Sequence, residues 1–193
     1  MDNQELLVKV REQMTEHRYQ HTLGVVETAK ILAKRFGADP KKAELAAILH
    51  DYAKYWTDEQ LIRVIVERGL PQELLNYNKQ LWHGPVAAEV VQELFHIKDE
   101  EVITAVRYHT SGRANMSLLE KIIWLADYIE PGRHFPGVEE VREIAGQDLN
   151  QALLKALDQT IVFLIKQGQK VYPLTLLARN HLLDEKEVLP IVE

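Results

Sequence analysis

Apolar side chains recur along this chain at the three- and four-residue steps of an amphipathic helix, and strand-like alternation is scarce. Leu45, Ile48, Leu49 and Tyr52 form one such stripe, Val86, Val90, Val91 and Leu94 a second, and Leu118, Leu119, Ile122, Ile123 and Leu125 a third. Boundary chemistry agrees. Asp39 ahead of Pro40 offers an N-cap with proline at the first helical position, and Thr57 to Gln60 and Ser117 to Glu120 both have the capping-box spacing. Gly37, Gly69-Leu70-Pro71, His83-Gly84-Pro85, Ser111-Gly112 and Pro131-Gly132 each punctuate a change of helix. One long helix is expected from about Leu6 through Ala33, and the next should end near His50-Asp51. The pattern predicts an all-α bundle of about eight or more helices in a single domain, with no linker, low-complexity tract or internal repeat.

With 193 residues and 46% hydrophobic content the chain suits one sizeable core. No stretch approaches the roughly 20 consecutive apolar residues of a membrane span. The first residues lack the basic start and apolar run of a secretory signal, so a cytoplasmic protein with no membrane partner is expected. The absence of cysteine removes disulfides and thiolate ligands, and any metal must sit among nitrogen and oxygen donors. A net charge of -6 argues against a grip on long nucleic acid, which requires a basic face. Arg18, Lys54, Arg107 and Arg133 nonetheless lie within a few residues of candidate ligands, where cations can receive a small phosphorylated substrate, although most lysines and arginines are simply solvated.

Those candidate ligands are the most informative residues of the chain. His50-Asp51 follows the apolar run Ala46-Ala47-Ile48-Leu49, with His21, His83, His109 and Asp127 placed along the rest of the sequence. Imidazole and carboxylate hold hydrolytic metal ions while leaving positions open for water and substrate oxygens. Neighbouring helical residues diverge by about 100°, so His50 and Asp51 share an ion only if it lies between their two directions. Asp127 falls in an apolar helix face after Trp124-Leu125-Ala126, where an unpaired carboxylate is costly unless a cation meets it. His83 and His109 fall at helix ends, natural places for a second ion or for substrate contacts. Two ions suit cleavage of phosphate esters and anhydrides. The plainer alternatives are that Asp51 is a surface acid paired with Lys54 at i+3, that His17, His96, His134 and His181 are ordinary histidines, and that Tyr52, Trp56 and Trp124 are core aromatics.

The order His21, His50-Asp51, Asp127 resembles the H...HD...D pattern of the metal-dependent HD-domain phosphohydrolases. The similarity is closer to their YqeK-like branch of symmetrical bis(5'-nucleosyl)-tetraphosphatases. It runs through residues 17–25, His50-Asp51-Tyr52-Ala53-Lys54, Trp82-His83-Gly84-Pro85, Tyr108-His109-Thr110 and residues 126–133, and on to Ala178-Arg179-Asn180. The resemblance implies an all-helical HD domain, here expected as a metal core over about 15–135 with C-terminal helices 137–190 packed on it. It implies two divalent or mixed-valence ions, iron first and manganese or another transition metal as the alternative. His21, His50, Asp51 and Asp127 would hold one ion, and His83, His109 and a shared Asp51 the other.

The expected reaction is attack of a metal-bound hydroxide on an inner phosphorus of diadenosine tetraphosphate, releasing two ADP. Asp51 and Lys54 are the expected catalytic residues. Arg18, Lys54, Thr110, Glu130 and Arg133 are expected around the substrate, with Glu130 alternatively orienting a ligand or Arg133. The partner is a small nucleotide, and a homodimer is expected without an identified face. Two alternatives stay open: an HD-domain phosphohydrolase for a nucleoside monophosphate, a deoxynucleotide triphosphate or a guanosine alarmone, and a non-catalytic nucleotide-sensing or ribosome-associated module.

Overall fold

The computed structural model describes residues 2–186, and among them helices are the only regular elements. In chain order these are α1 (Asn3–Arg11), α2 (Glu16–Phe36), α3 (Pro40–Leu49), α4 (Asp58–Glu67), α5 (His83–Phe95), α6 (Glu100–Tyr108), α7 (Leu118–Ile129), α8 (Val138–Ala145), α9 (Leu149–Lys166) and α10 (Pro173–Lys186). Two short 3-10 turns, Gln72–Asn76 and Lys79–Leu81, bridge α4 and α5. The last part of the expected C-terminal helices, residues 187–190, lies outside the described residues. None of the described helices is long and apolar enough to cross a membrane.

The boundary signals act as their chemistry requires. Asp39 accepts from the Lys41 amide ahead of Pro40, and Thr57 and Ser117 both close capping boxes, with Gln60 and Glu120 returning a bond to the cap amide. Gly37 ends α2 in the left-handed conformation at φ 82°, a geometry that costs a side-chain-bearing residue more than glycine. The expected single helix from Leu6 to Ala33 is instead two. Thr15 turns extended and caps α2 through the Arg18 amide, breaking the chain between α1 and α2. The phase of Leu6, Val10 and Met14 falls next on Arg18 and Thr22, and no glycine or proline lies between the two helices, so the cap at Thr15 is the one local sign of the break.

Helix α7 is the axis of the fold. It packs against α2, α3 and α6 on one side and against α8 and α9 on the other. That two-sided burial explains why Leu119 through Ala126 are all buried, an apolar run rather than a stripe. The polar members of the run are paired. Arg113 holds the Glu120 carboxylate through two bonds of 2.6 and 2.9 Å, and Lys121 reaches Glu185 on α10 at 2.7 Å. Alanines 43, 46 and 47 let α3 lie close against its neighbours and bring its C-terminal end deep into the bundle. Ile122→Ala should therefore cost about 2–5 kcal/mol in denaturant unfolding. Ser117→Ala, which removes only the α7 cap, should cost about 1 kcal/mol in the same assay.

Candidate metal centre

The centre is assembled from the body of α2 and from four helix ends. Helix α3 stops at Leu49, and His50 and Asp51 open a run of turns with His50 still in the right-handed helical conformation, so the centre lies between their two directions. His21 projects from the buried face of α2, His83 opens α5, His109 caps the end of α6, and Asp127 sits in the last turn of α7. Three of the four rings have their Nδ1 occupied on the outer side. His50 donates to the Ala47 carbonyl at 2.6 Å, His109 to the Val106 carbonyl at 2.7 Å, and His21 to Glu130 Oε1 at 2.9 Å. With the proton on Nδ1, each Nε2 carries a lone pair that faces inward.

These nitrogens gather around Asp51, whose side chain is almost wholly buried. One carboxylate oxygen, Oδ1, lies 2.9 Å from His83 Nε2 and 3.9 Å from His109 Nε2. The other, Oδ2, lies 3.2 Å from His50 Nε2 and 3.7 Å from His21 Nε2. His21 Nε2 is also 3.0 Å from Asp127 Oδ1. Yet the buried Nε2 atoms of His21 and His50 meet no hydrogen-bond partner in usable geometry, because these close oxygens lie off the donor directions. His83 Nε2 and His109 Nε2 stand 3.1 Å apart, close enough to share a proton, but the unpartnered nitrogens of His21 and His50 beside two carboxylates are the environment a cation stabilises. The donor atoms of His21, His50 and Asp127 fall within 4.8 Å of one another, as do those of His50, Asp51 and His109. This nitrogen and oxygen set fits a transition metal, and Asp51 faces both groups.

The electrostatics follow from burial opposed by close partners. Burial would raise the Asp51 carboxyl, but His50 and His83 overcome it and hold it well below the ordinary range. Asp127 is likewise held low against its burial by His21 and Arg133. Burial lowers His83, and it pushes His109 down to about 3 with help from neighbouring imidazoles, so both rings are neutral and ready to ligate. His50 differs. Burial works against its proton, but Asp51 prevails and raises its pKa. Lys54 is lowered by burial, partly offset by Asp51 and Asp127.

Around this centre the expected substrate residues divide. Arg18 Nη1 bonds Asp51 Oδ2 at 3.0 Å, while Arg133 bonds Asp127 Oδ1 at 2.6 Å and the Asp127 carbonyl at 2.9 Å. Lys54 and Thr110 line a cleft of about 450 Å³ together with His109, Asp127 and Arg133. The Thr110 hydroxyl there has no hydrogen-bond partner. Glu130 takes the orienting place rather than a phosphate-facing one: it is buried, receives His21 Nδ1, and accepts the Gly132 amide at 2.5 Å. Arg107 pairs with Glu89 at 2.7 Å, away from the cluster. His17, His96 and His134 are exposed, and His181 pairs with Glu185. Tyr52, Trp56 and Phe95 pack edge to face as core aromatics, whereas Trp124 stacks on Tyr128 and also lines the cleft.

Two supporting residues escape the sequence reading. A side chain at Gly24 would place Cβ 2.5 Å from Glu130 Oε2, so this helical glycine makes room for the carboxylate that holds His21. A glycine inside a buried apolar helix is a signal of close approach, though its partner is invisible in one dimension. Arg142 on α8 donates to the carbonyls of Ile129, Glu130 and Arg133, fastening the loop that carries both Glu130 and Arg133. Nothing in its local sequence distinguishes it from a solvated arginine.

A family model described as HD domain matches residues 18–132, which span His21, His50-Asp51 and Asp127. The chain belongs to the HD-domain family. Among other HD-domain chains, it is 54% identical to the symmetrical bis(5'-nucleosyl)-tetraphosphatase of Bacillus subtilis, over 94% of this chain and 98% of that one. It is 53% identical to a protein of the same name from Halalkalibacterium halodurans, over 97% of this chain and 100% of that one. A crystal structure from Clostridium acetobutylicum, described as a predicted HD superfamily hydrolase involved in NAD metabolism, superposes with a TM-score of 0.92. It shares 41% identity and covers 96% of this HD-domain chain and 98% of its own.

Glu130→Gln should preserve helicity by circular dichroism yet weaken metal retention by about 10–100-fold in competition with a chelator, because the orienting carboxylate is lost. Acid should act in a defined direction. A metal ion must displace the proton that His50 holds more tightly than a free imidazole does. Metal occupancy measured by equilibrium dialysis should therefore fall as pH drops, with the loss setting in above the range of an ordinary imidazole, and recover as pH rises.

Proposed function

We propose that this HD-domain protein hydrolyses diadenosine tetraphosphate symmetrically, with water, to two ADP. The observation that carries the reading is the position of Asp51, one carboxylate oxygen turned to His83 and His109 and the other to His21 and His50. Near-full-length similarity to chains bearing the symmetrical tetraphosphatase name supports the choice of substrate. In this reading His21, His50, Asp51 and Asp127 hold one ion, and His83, His109 and the shared Asp51 hold a second. Iron is the proposed metal, with manganese or another transition metal as the alternative. Such a pair supplies a nucleophilic water at neutral pH and neutralises charge on the phosphate oxygens.

The remaining work falls to side chains. Lys54, half-buried beside Asp51 and Asp127, places a cation where the low dielectric strengthens its pull on a polyphosphate. Arg133 and Arg18 currently brace Asp127 and Asp51, and their remaining guanidinium donors serve bridging phosphate oxygens. Thr110 offers an unspent hydroxyl on the same wall. Glu130 keeps the His21 proton on Nδ1 and so keeps Nε2 free to ligate. Water attacks an inner phosphorus, the bond to the central bridging oxygen breaks, and that oxygen leaves on the second ADP. We further propose the metal core over about 15–135 as the catalytic unit and the cytoplasm, where nucleotides accumulate, as its location.

Chromatography of products from metal-loaded protein and diadenosine tetraphosphate should show ADP alone. ATP with AMP would retain a hydrolase but reject its symmetry, and no turnover with metal bound would reject the substrate. Asp51→Ala should abolish both turnover and metal binding while leaving helicity near that of the parent protein.

A further inference from the structure

The cleft beside Asp127 is lined by two unlike sets of side chains. One is the charged and polar groups of the centre, including Lys54, Thr110 and Arg133, and the other is aromatic. Trp124 and Tyr128 stack with rings 14° from parallel, and Phe135 meets Tyr128 edge to face at 5.0 Å. Phe163 projects from α9 with 58% of its surface exposed. A phenylalanine so open to water gains nothing for folding, but at the rim of a cleft it provides a flat apolar face. The cleft, about 450 Å³, has the size of a small-molecule site. Its position matters as much as its size, because its floor is continuous with Asp127 and His109.

We infer that this aromatic cleft is a nucleoside subsite, in which Phe163 and Phe135 flank one purine base while the attached phosphates run across Lys54 and Arg133 towards the metal centre. The inference rests on the proposed dinucleotide hydrolysis. Stacking suits any purine because it uses the face of the ring, and among the lining residues the amide nitrogen of Gln169, whose oxygen accepts from Asn78, is left to meet its polar edge. The other end of a symmetrical substrate meets different surroundings. Beyond Arg133 lies a second cleft of about 360 Å³ lined by His17, Arg18, Gln20 and Pro131 among others, with no phenylalanine, tyrosine or tryptophan. The two halves of the substrate are therefore held unequally, one by stacking and one by polar contacts. Phe135 and Phe163 lie beyond residues 18–132, so the two rings assigned to the base come from outside the segment matched as HD domain, whereas Trp124 and Tyr128 lie within it.

The test uses the full-length, metal-loaded protein and its Phe163→Ala and Phe163→Tyr variants. ADP and inorganic pyrophosphate binding are followed by calorimetry, and hydrolysis is followed on diadenosine tetraphosphate. Loss of one stacking face should weaken ADP binding and raise KM for the dinucleotide roughly 5- to 100-fold in Phe163→Ala. Pyrophosphate, which has no ring to stack, should bind as before, and Phe163→Tyr, which keeps the ring, should bind ADP like the parent. Unchanged ADP affinity in Phe163→Ala, or an equal loss for ADP and pyrophosphate, overturns the subsite. If the parent binds ADP and loses it in Phe163→Ala but does not hydrolyse the dinucleotide, the subsite stands and the proposed reaction falls.

Discussion

A carboxylate buried to 2% exposure among the inward-facing nitrogens of four histidines is the constraint on which the rest of this structure depends. Taking a charge out of water costs several kcal/mol or more, and the cost is met only if opposing charges and donors surround it closely. The fold supplies them from four directions. Helix α2 brings His21 and Arg18, the turn after α3 brings His50, and the ends of α5 and α6 bring His83 and His109, while the end of α7 adds Asp127, a second carboxylate that raises the demand for a cation. Helix ends suit this role because a residue leaving a helix can turn inward without breaking the hydrogen bonds of the turns behind it.

Support for the centre spreads outward in layers. Backbone carbonyls of Ala47 and Val106 fix two rings, and Glu130 fixes a third. Glu130 is itself seated by two glycines, since a Cβ at Gly24 would stand 2.5 Å and one at Gly132 3.0 Å from its oxygens. The loop bearing it is fastened by Arg142 from α8. A residue far from the cluster thus shares in the geometry of His21 and Asp127, because each layer removes a freedom from the one inside it. The C-terminal helices contribute twice, through this clamp and through the aromatic wall of the cleft.

Much of the framework is local, and local chemistry is written directly in the chain. The caps at Asp39, Thr57 and Ser117 and the stop at Gly37 need only a few adjacent residues, and each stands where the sequence places it. The break at Thr15 is the exception, since no glycine or proline falls between α1 and α2 to mark it. The ligand candidates were legible for another reason. Few residue types can bind a hydrolytic metal, so His21, His50-Asp51, His83, His109 and Asp127 stand out against an otherwise helical background.

What the sequence by itself determined, then, is the helical class, most of the helix boundaries and the membership of the cluster, because periodicity, capping and ligand chemistry are properties of residues and their near neighbours. Only the tertiary structure decided that Glu130 turns inward to His21, that Gly24 must be small, that Arg142 braces a loop from another helix, and that Trp124 lines a cleft. Those roles depend on contacts between segments far apart in the chain. An arginine meeting carbonyls or an aromatic facing a cavity leaves no periodic mark on its own surroundings, and it acquires its function only when the helices pack.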